Sequence, residues 1–180
     1  MTKTILLGMV LAGIFAISAI AGVSAFHATW QTATGTVVEG DVVTTFTVNA
    51  ADTIPAHTKD LAGYAFIYPT GDQSATVFAL TTHHGVKDST QRPNQWHAHN
   101  IALSGGAGNA EFCVADIEDA PFAKINVIKD TLSATLPSTS LQNTGLSYFA
   151  AFDIIVEPLC DITDIAGSPS GLRLGVDAAP

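Results

Sequence analysis

After residue 25 the chain alternates polar and apolar residues over short runs, and Gly, Pro, Asn and Asp separate these runs. No run repeats apolar residues at the spacing of a helix face. Alternation among β-branched residues is instead typical of half-buried strands. The predicted strands lie in TGTVVEGDVVTTFTVNA (one or two strands), AGYAFIYPTG, SATVFALTTHH, WHAHNIALS, NAEFCVADIED, FAKINVIKDTLSATL (one or two strands), LSYFAAFDIIVEP and GLRLGV. About eight to ten such strands predict an all-β fold, an antiparallel β-sandwich or a partly open barrel.

The first 25 residues follow a different pattern. Lys3 precedes an uncharged apolar run from Ile5 to Val23, and the small residues Ser24 and Ala25 follow. This pattern predicts a secretory signal peptide over residues 1–25, which leaves residues 26–180 as a single domain. The alternative is a retained membrane anchor, since a run of this length can span a bilayer. Both interpretations place the domain outside the cytoplasm, secreted or at the cell surface, and only the second gives it a membrane contact.

The composition is acidic and restricts the partners. Seven Lys and Arg residues oppose 16 Asp and Glu residues, so the formal net charge is −9 at pH 7. Loss of Lys3 with the signal peptide makes the domain one unit more negative. This charge repels nucleic acid and anionic lipid, and we exclude nucleic acid as a partner. A metal ion and other cell-envelope proteins remain as expected partners.

The chain has two cysteines, Cys113 and Cys160. In an oxidising compartment an even pair predicts one disulfide. Two thiolates in a metal site are the weaker alternative, because neither cysteine has a Cys or His neighbour at ligand spacing. A blue-copper site is also disfavoured, because it needs a thiolate and commonly a methionine, and Met1 and Met9 leave with the signal peptide.

Four of the six histidines lie within residues 83–100, HHGVKDSTQRPNQWHAHN. The flanking segments predict a β-hairpin whose loop is rich in turn residues. Side chains alternate along a strand, so His97 and His99 share one face. The register that sets the apolar residues of the two arms opposite each other pairs His83 with His97 and Thr81 with His99. Three imidazoles are therefore predicted to converge near the end of a sheet.

The following hairpin predicts a carboxylate beside these rings. If GGAG forms a four-residue loop, Asp116 lies opposite His97. Asp116 would then be a fourth ligand or the acceptor that sets a ring tautomer, and Glu118 is a weaker candidate for that role. The Asp116, Glu118 and Asp119 group lacks the ligand spacing of a calcium loop and is expected to be an exposed strand end.

Neutral imidazoles in this arrangement suit Cu or Zn, and also Fe or Ni. We take Cu or Zn as the expected ion, with His83, His97, His99 and Asp116 as ligands. A slip of one residue in the register would replace His83 by His84. The alternative is that these histidines bond only to neighbouring residues and water. Trp96, beside the cluster, either walls a pocket or packs on the opposite face.

Two histidines lie elsewhere. His27 follows the predicted cleavage site, where it would bind Cu(II) together with the new amino terminus or be an ordinary surface residue. His57 is expected in an exposed loop.

The sequence leaves three functions open. The first is metal binding outside the cell. The second is a metal-dependent hydrolase or hydratase that uses a metal-bound water of lowered pKa. The third is a cell-envelope structural or adhesion domain without metal. The sequence has no phosphate-binding loop, nucleophile elbow or haem attachment motif that would favour another class.

Overall fold

The computed structural model describes residues 28–82, 95–120, 122–141, 147–160 and 173–179, so the predicted signal peptide lies outside the described residues. In these ranges the chain is almost entirely β, which confirms the predicted fold class. The strands are β1 (Ala33–Glu39), β2 (Val43–Ala50), β3 (Ala62–Gly71), β4 (Ser74–Thr82), β5 (His97–Gly105), β6 (Phe112–Asp119), β7 (Lys124–Ile128), β8 (Thr131–Pro137), β9 (Tyr148–Val156) and β10 (Leu174–Ala178). Two short 3-10 helices span Thr29–Gln31 and Ser138–Ser140. No helix in the described part of the chain is both long and apolar enough to cross a membrane.

The strands form two antiparallel units. One is a four-stranded sheet in the order β1-β2-β8-β7, and the other is a closed barrel in the order β10-β6-β5-β4-β3-β9. Each predicted segment forms strands where expected, and the two segments predicted as one or two strands each form two. The barrel is closed rather than partly open, because β10 pairs with both β9 and β6.

A first hydrophobic core lies between the sheet and one side of the barrel. From the sheet, Phe46 stacks on Phe78 of β4 with ring centroids 4.3 Å apart and meets Phe66 of β3 edge-on at 4.8 Å. A second cluster, which includes Ala79 and Ile101, fills the barrel. Strands β3 and β4 therefore bury both of their faces, which explains why their sequences are nearly continuous in apolar residues.

Aromatic rings close the first core near the start of β5. Trp96 stacks on Tyr64 at 5.5 Å and meets Trp30 edge-on at 5.6 Å. Its indole Nε1 donates a hydrogen bond to the carbonyl of Pro55 at 2.7 Å. The Tyr64 hydroxyl donates to the Trp30 carbonyl at 2.6 Å, and burial raises the pKa of this phenol. Of the two interpretations of Trp96, packing on the face opposite the histidines is therefore confirmed.

The disulfide between Cys113 and Cys160 is present, as predicted. It joins β6 to the segment that follows β9, and both cysteines are buried. Few residues pair between β10 and β6 at this point of the barrel. Strand β10 pairs with β9 over five residues, but with β6 only through Gly175–Cys113 and Val176–Phe112. A structural disulfide favours an oxidising compartment.

Candidate functional site

Strand β5 carries His97 and His99 on the face that points into the barrel. The next two residues on that face, Ile101 and Leu103, belong to the barrel core, whereas the intervening Ala98 packs in the core against the sheet. Both histidines are almost completely buried, with 1% and 0% of their surface exposed. The predicted shared face of the two rings is confirmed, and it lies at one end of a closed barrel.

The register between β4 and β5 differs from the predicted one by two residues. Thr81 lies opposite His97, and Ala79 lies opposite His99. An even shift leaves every side chain on the same face, so the assignment of faces holds although the pairing was wrong. His83 and His84 lie outside the described residues, so the predicted third imidazole stays a prediction.

The register between β5 and β6 requires a larger correction. Asp116 does not lie opposite His97: it pairs with Ala102, is exposed, and its carboxylate accepts a hydrogen bond from the Ile117 amide at 2.8 Å. The loop between the strands is longer than GGAG, so Ser104 pairs with Cys113. A β-bulge then shifts the register between Ala102 and Leu103 of β5.

This bulge decides which acidic residue reaches the histidines. One extra residue in β6 turns every later side chain to the other face. After the bulge, Ile117 faces the barrel interior and Asp119 follows on the same face, directly opposite His99. The carboxylate beside the histidines is therefore that of Asp119, which the sequence pattern predicts only as part of an exposed strand end. No local signal marks the bulge, because it depends on how β5 and β6 pair.

The two imidazoles are adjacent and are held in defined orientations. Their ring centroids are 4.8 Å apart and their planes are nearly perpendicular, at 85°. His97 Nδ1 lies 2.8 Å from the backbone carbonyl oxygen of Gln95, and His99 Nδ1 lies 3.3 Å from Oδ1 of Asp119. The Gln95 carbonyl can only accept a hydrogen bond, so the His97 tautomer that satisfies this contact has its proton on Nδ1. The contact of His99 with Asp119 is an ion-pair contact rather than a hydrogen bond, so it does not fix the tautomer of His99. In the neutral His97 ring with this tautomer, Nε2 holds the lone pair that a metal ion would use.

Asp119 connects this buried pair with the surface. Its side chain is 45% exposed and lines an open groove of about 210 Å³. Asn100, Glu118, Phe122 and Ser140 also line this groove. The expected exposure of the Asp116, Glu118 and Asp119 strand end is confirmed, although Asp119 also contacts the buried ring.

On the interior side, His99 and Thr81 form the polar end of a small cavity inside the barrel. The cavity measures about 20 Å³, and apolar side chains such as Val114, Phe152 and Leu174 form its remaining walls. Space of this size corresponds to about one water molecule. The Thr81 hydroxyl donates to the Ala62 carbonyl at 3.0 Å, so its own hydrogen is already engaged.

Within the described ranges, no group of three His, Cys, Asp or Glu side chains is placed to hold a metal ion. The pair supplies two nitrogen donors, and His27 lies outside the described residues. His57 is exposed, as expected, and its backbone forms an isolated bridge with Gln95.

Comparison with protein-family models, with curated proteins and with solved structures finds no match to this chain.

Proposed function

We propose that this chain is an extracytoplasmic metal-binding β domain that holds Cu or Zn through Nε2 of His97 and Nε2 of His99. The observation that carries this proposal is the orientation of the two rings. Each Nδ1 lies close to an oxygen atom, and the two rings lie side by side on one strand face. Imidazole nitrogens are the ligands that Cu and Zn share. A third ligand would come from His83, or from His84 if the register slips.

In this proposal Asp119 takes the role that the sequence suggested for Asp116. A carboxylate on the far nitrogen of a metal-binding histidine holds the ring and makes it a better donor. Asp119 also brings one negative charge next to a site where His97 and His99 are buried. A divalent cation loses its water on entering such a site, and a nearby negative charge offsets part of that cost.

The location proposed for this function is outside the cytoplasm. The buried Cys113–Cys160 disulfide supports an oxidising environment. The apolar segment between Lys3 and Ala25 supports export.

The test is a titration of the tag-free chain from Phe26 with Cu(II) and with Zn(II), followed by elemental analysis. We expect about one tightly bound ion per chain, and its loss when His97 and His99 are both changed to Gln. Glutamine keeps a polar side chain at these buried positions, and circular dichroism checks the fold. His57→Gln is the matched control, since it removes an exposed histidine and should leave the stoichiometry unchanged.

A second pair of variants tests the orientation argument separately. Asp119→Asn should weaken metal binding by about 10- to 100-fold, the usual effect of losing the partner of a histidine ligand. Asp116→Asn makes the same change of charge on the same strand, opposite Ala102, and should bind metal as the wild type does. Equal affinities for both variants would contradict the role of Asp119.

A metal-free structural function is the second candidate. It is favoured by the burial of both histidines and by the oxygen atoms that each ring already contacts. It predicts that the His97→Gln/His99→Gln variant is less stable than the wild type and that neither protein binds an ion. A metal-dependent hydrolase or hydratase would be identified by activity measurements on a protein that binds an ion. The wild type would then hydrolyse an ester or hydrate a carbonyl, and the His97→Gln/His99→Gln variant would not.

A further inference from the structure

Part of the connection between β5 and β6 lies against the disulfide. Residues 106–110, called here the cover loop, turn back where the Ala110 amide donates to the Ala107 carbonyl at 3.0 Å. Both alanines pack against the buried Cys113–Cys160 pair, and the other residues of the cover loop are exposed. Two small side chains bury little apolar surface, so their packing holds the loop only weakly.

A second anchor of the cover loop is the carboxylate of Glu157, a side chain that is only 4% exposed. Its Oε2 accepts a hydrogen bond from the Asn109 amide at 2.8 Å, and its Oε1 accepts one from the Leu159 amide at 3.0 Å. The Glu157 backbone carbonyl also accepts from the Cys160 amide at 3.1 Å. One residue therefore joins the cover loop to the turn that carries Cys160.

This contact requires an ionised carboxylate. Backbone amides can only donate, so both oxygens of Glu157 must accept, and protonation turns one of them into a hydroxyl group. Among the described residues, the charged groups of the neighbouring elements bond elsewhere. The Glu111 carboxylate accepts from the Ala178 amide at 3.2 Å. The Arg173 guanidinium donates to the Pro158 carbonyl at 3.0 Å. The backbone amides are therefore the groups that favour the ionised form of Glu157.

The cover loop fits closely on the carboxylate at Gly108. This glycine has a positive φ of 58°, and a Cβ atom at its position would lie 2.5 Å from the Glu157 carboxylate. An alanine there would be strained and would push the loop and the carboxylate apart. Gly108 therefore offers a second way to disturb the same contact without changing any charge.

We propose that Glu157 is an acid-sensitive latch that holds the cover loop over the disulfide. While the carboxylate is ionised, the loop shields Cys113–Cys160 and reduction of the disulfide is slow. When the carboxylate takes up a proton, the loop opens locally and exposes the disulfide, while the sheet and the rest of the barrel stay folded. The latch is independent of the histidine site, because Cys113 pairs with Ser104 at the other end of β5.

The test is the rate at which a water-soluble phosphine reduces the disulfide in the chain from Phe26. The phosphine becomes its oxide with the oxygen of one water molecule, and the disulfide gains two electrons and the two protons of that water to give two thiols. Each rate is divided by the rate for the urea-unfolded chain at the same pH, which removes the pH dependence of the reagent. For the wild type, this ratio should rise at least about fivefold when the pH falls from about 7 to about 3.

Glu157→Gln should already be reduced at least about fivefold faster than the wild type at neutral pH, with a ratio that no longer depends on pH. Glutamine has one acceptor oxygen, and its NH2 group would face the second backbone amide. Glu111→Gln is the matched control, since this side chain accepts one amide hydrogen bond, from Ala178, which the glutamine oxygen can keep. The control should be reduced like the wild type at every pH.

Amide hydrogen exchange shows where the structure opens. In Glu157→Gln, the amides of Asn109 and Leu159 should lose protection while that of Phe46 in the central sheet keeps it. If Glu157→Gln does not fold by circular dichroism, Gly108→Ala replaces it, with the same faster reduction expected at neutral pH.

Four results would overturn the proposal. The first is a wild-type ratio that does not change with pH, and the second is equal reduction of the wild type and of the folded variant. The third is an equal loss of protection at Phe46, because the disulfide would then be exposed by unfolding of the whole domain. The fourth is loss of the near-ultraviolet circular dichroism of the wild type at the pH where its ratio rises.

Discussion

The disulfide lies beside the seam of the barrel that has the fewest paired residues, and its removal is a quantitative test of the fold. Cys113 and Cys160 are separated by 47 residues along the chain. In the chain-entropy model, releasing a loop of this length stabilises the unfolded state by about 4 kcal/mol. For a domain of this size, the same free energy corresponds to a decrease of roughly 8–16 °C in Tm. We therefore expect Cys113→Ala/Cys160→Ala to unfold at a markedly lower urea concentration.

Urea unfolding followed by circular dichroism and fluorescence gives the change in the free energy of unfolding. Amide hydrogen exchange shows which strands are destabilised. Because β10 meets β6 through only two residue pairs, the amides of Gly175 and Val176 should lose more protection than those of the central sheet, such as Phe46. The wild type under reducing conditions should behave like the double variant.

Two results would refute this reasoning. A loss of less than about 1 kcal/mol would mean that the disulfide constrains the unfolded chain far less than its loop length requires. An equal loss of protection in β10 and in the central sheet would mean that the β6–β10 seam is no weaker than the rest of the structure.

Three further predictions concern single residues. Amide hydrogen bonds lower the pKa of Glu157, so its carboxylate stabilises the fold above its usual pKa range, and this contribution disappears as the pH falls through the lowered pKa. The difference in unfolding free energy between wild type and Glu157→Gln should therefore shrink on acidification, and an unchanged difference would contradict this assignment. Gly35→Ala places a methyl group into the Phe149 ring and should cost about 1–3 kcal/mol in urea unfolding. Tyr64→Phe loses a buried hydrogen bond and should cost about 1 kcal/mol, whereas Tyr148→Phe, at an exposed position, should cost nothing measurable in the same assay.

The alternation of side chains along the chain was sufficient to predict the strands and, outside the bulged part of β6, their faces. Burial on one face of a strand repeats every two residues, so the sequence of a single strand such as β2 indicates which of its residues point inward. The same rule placed His97 and His99 on one face together with Ile101 and Leu103. The oxidising compartment expected from the sequence made a Cys113–Cys160 disulfide the simplest interpretation of the two cysteines.

The neighbours of the histidines were decided only by the tertiary structure. Alternation is a local property and does not state which residue of the next strand lies opposite, because a shift of two residues preserves every face. The bulge in β6 changes the faces as well as the pairing. One extra residue turns the following side chains to the other face, so Asp119 rather than Asp116 lies opposite the histidines. Closure of the barrel likewise depends on the pairing of β10 with β6, which lie far apart in sequence. The sequence by itself therefore determined which residues of the regular strands face inward. Pairing between strands determined where a bulge exchanges the faces and which residues meet.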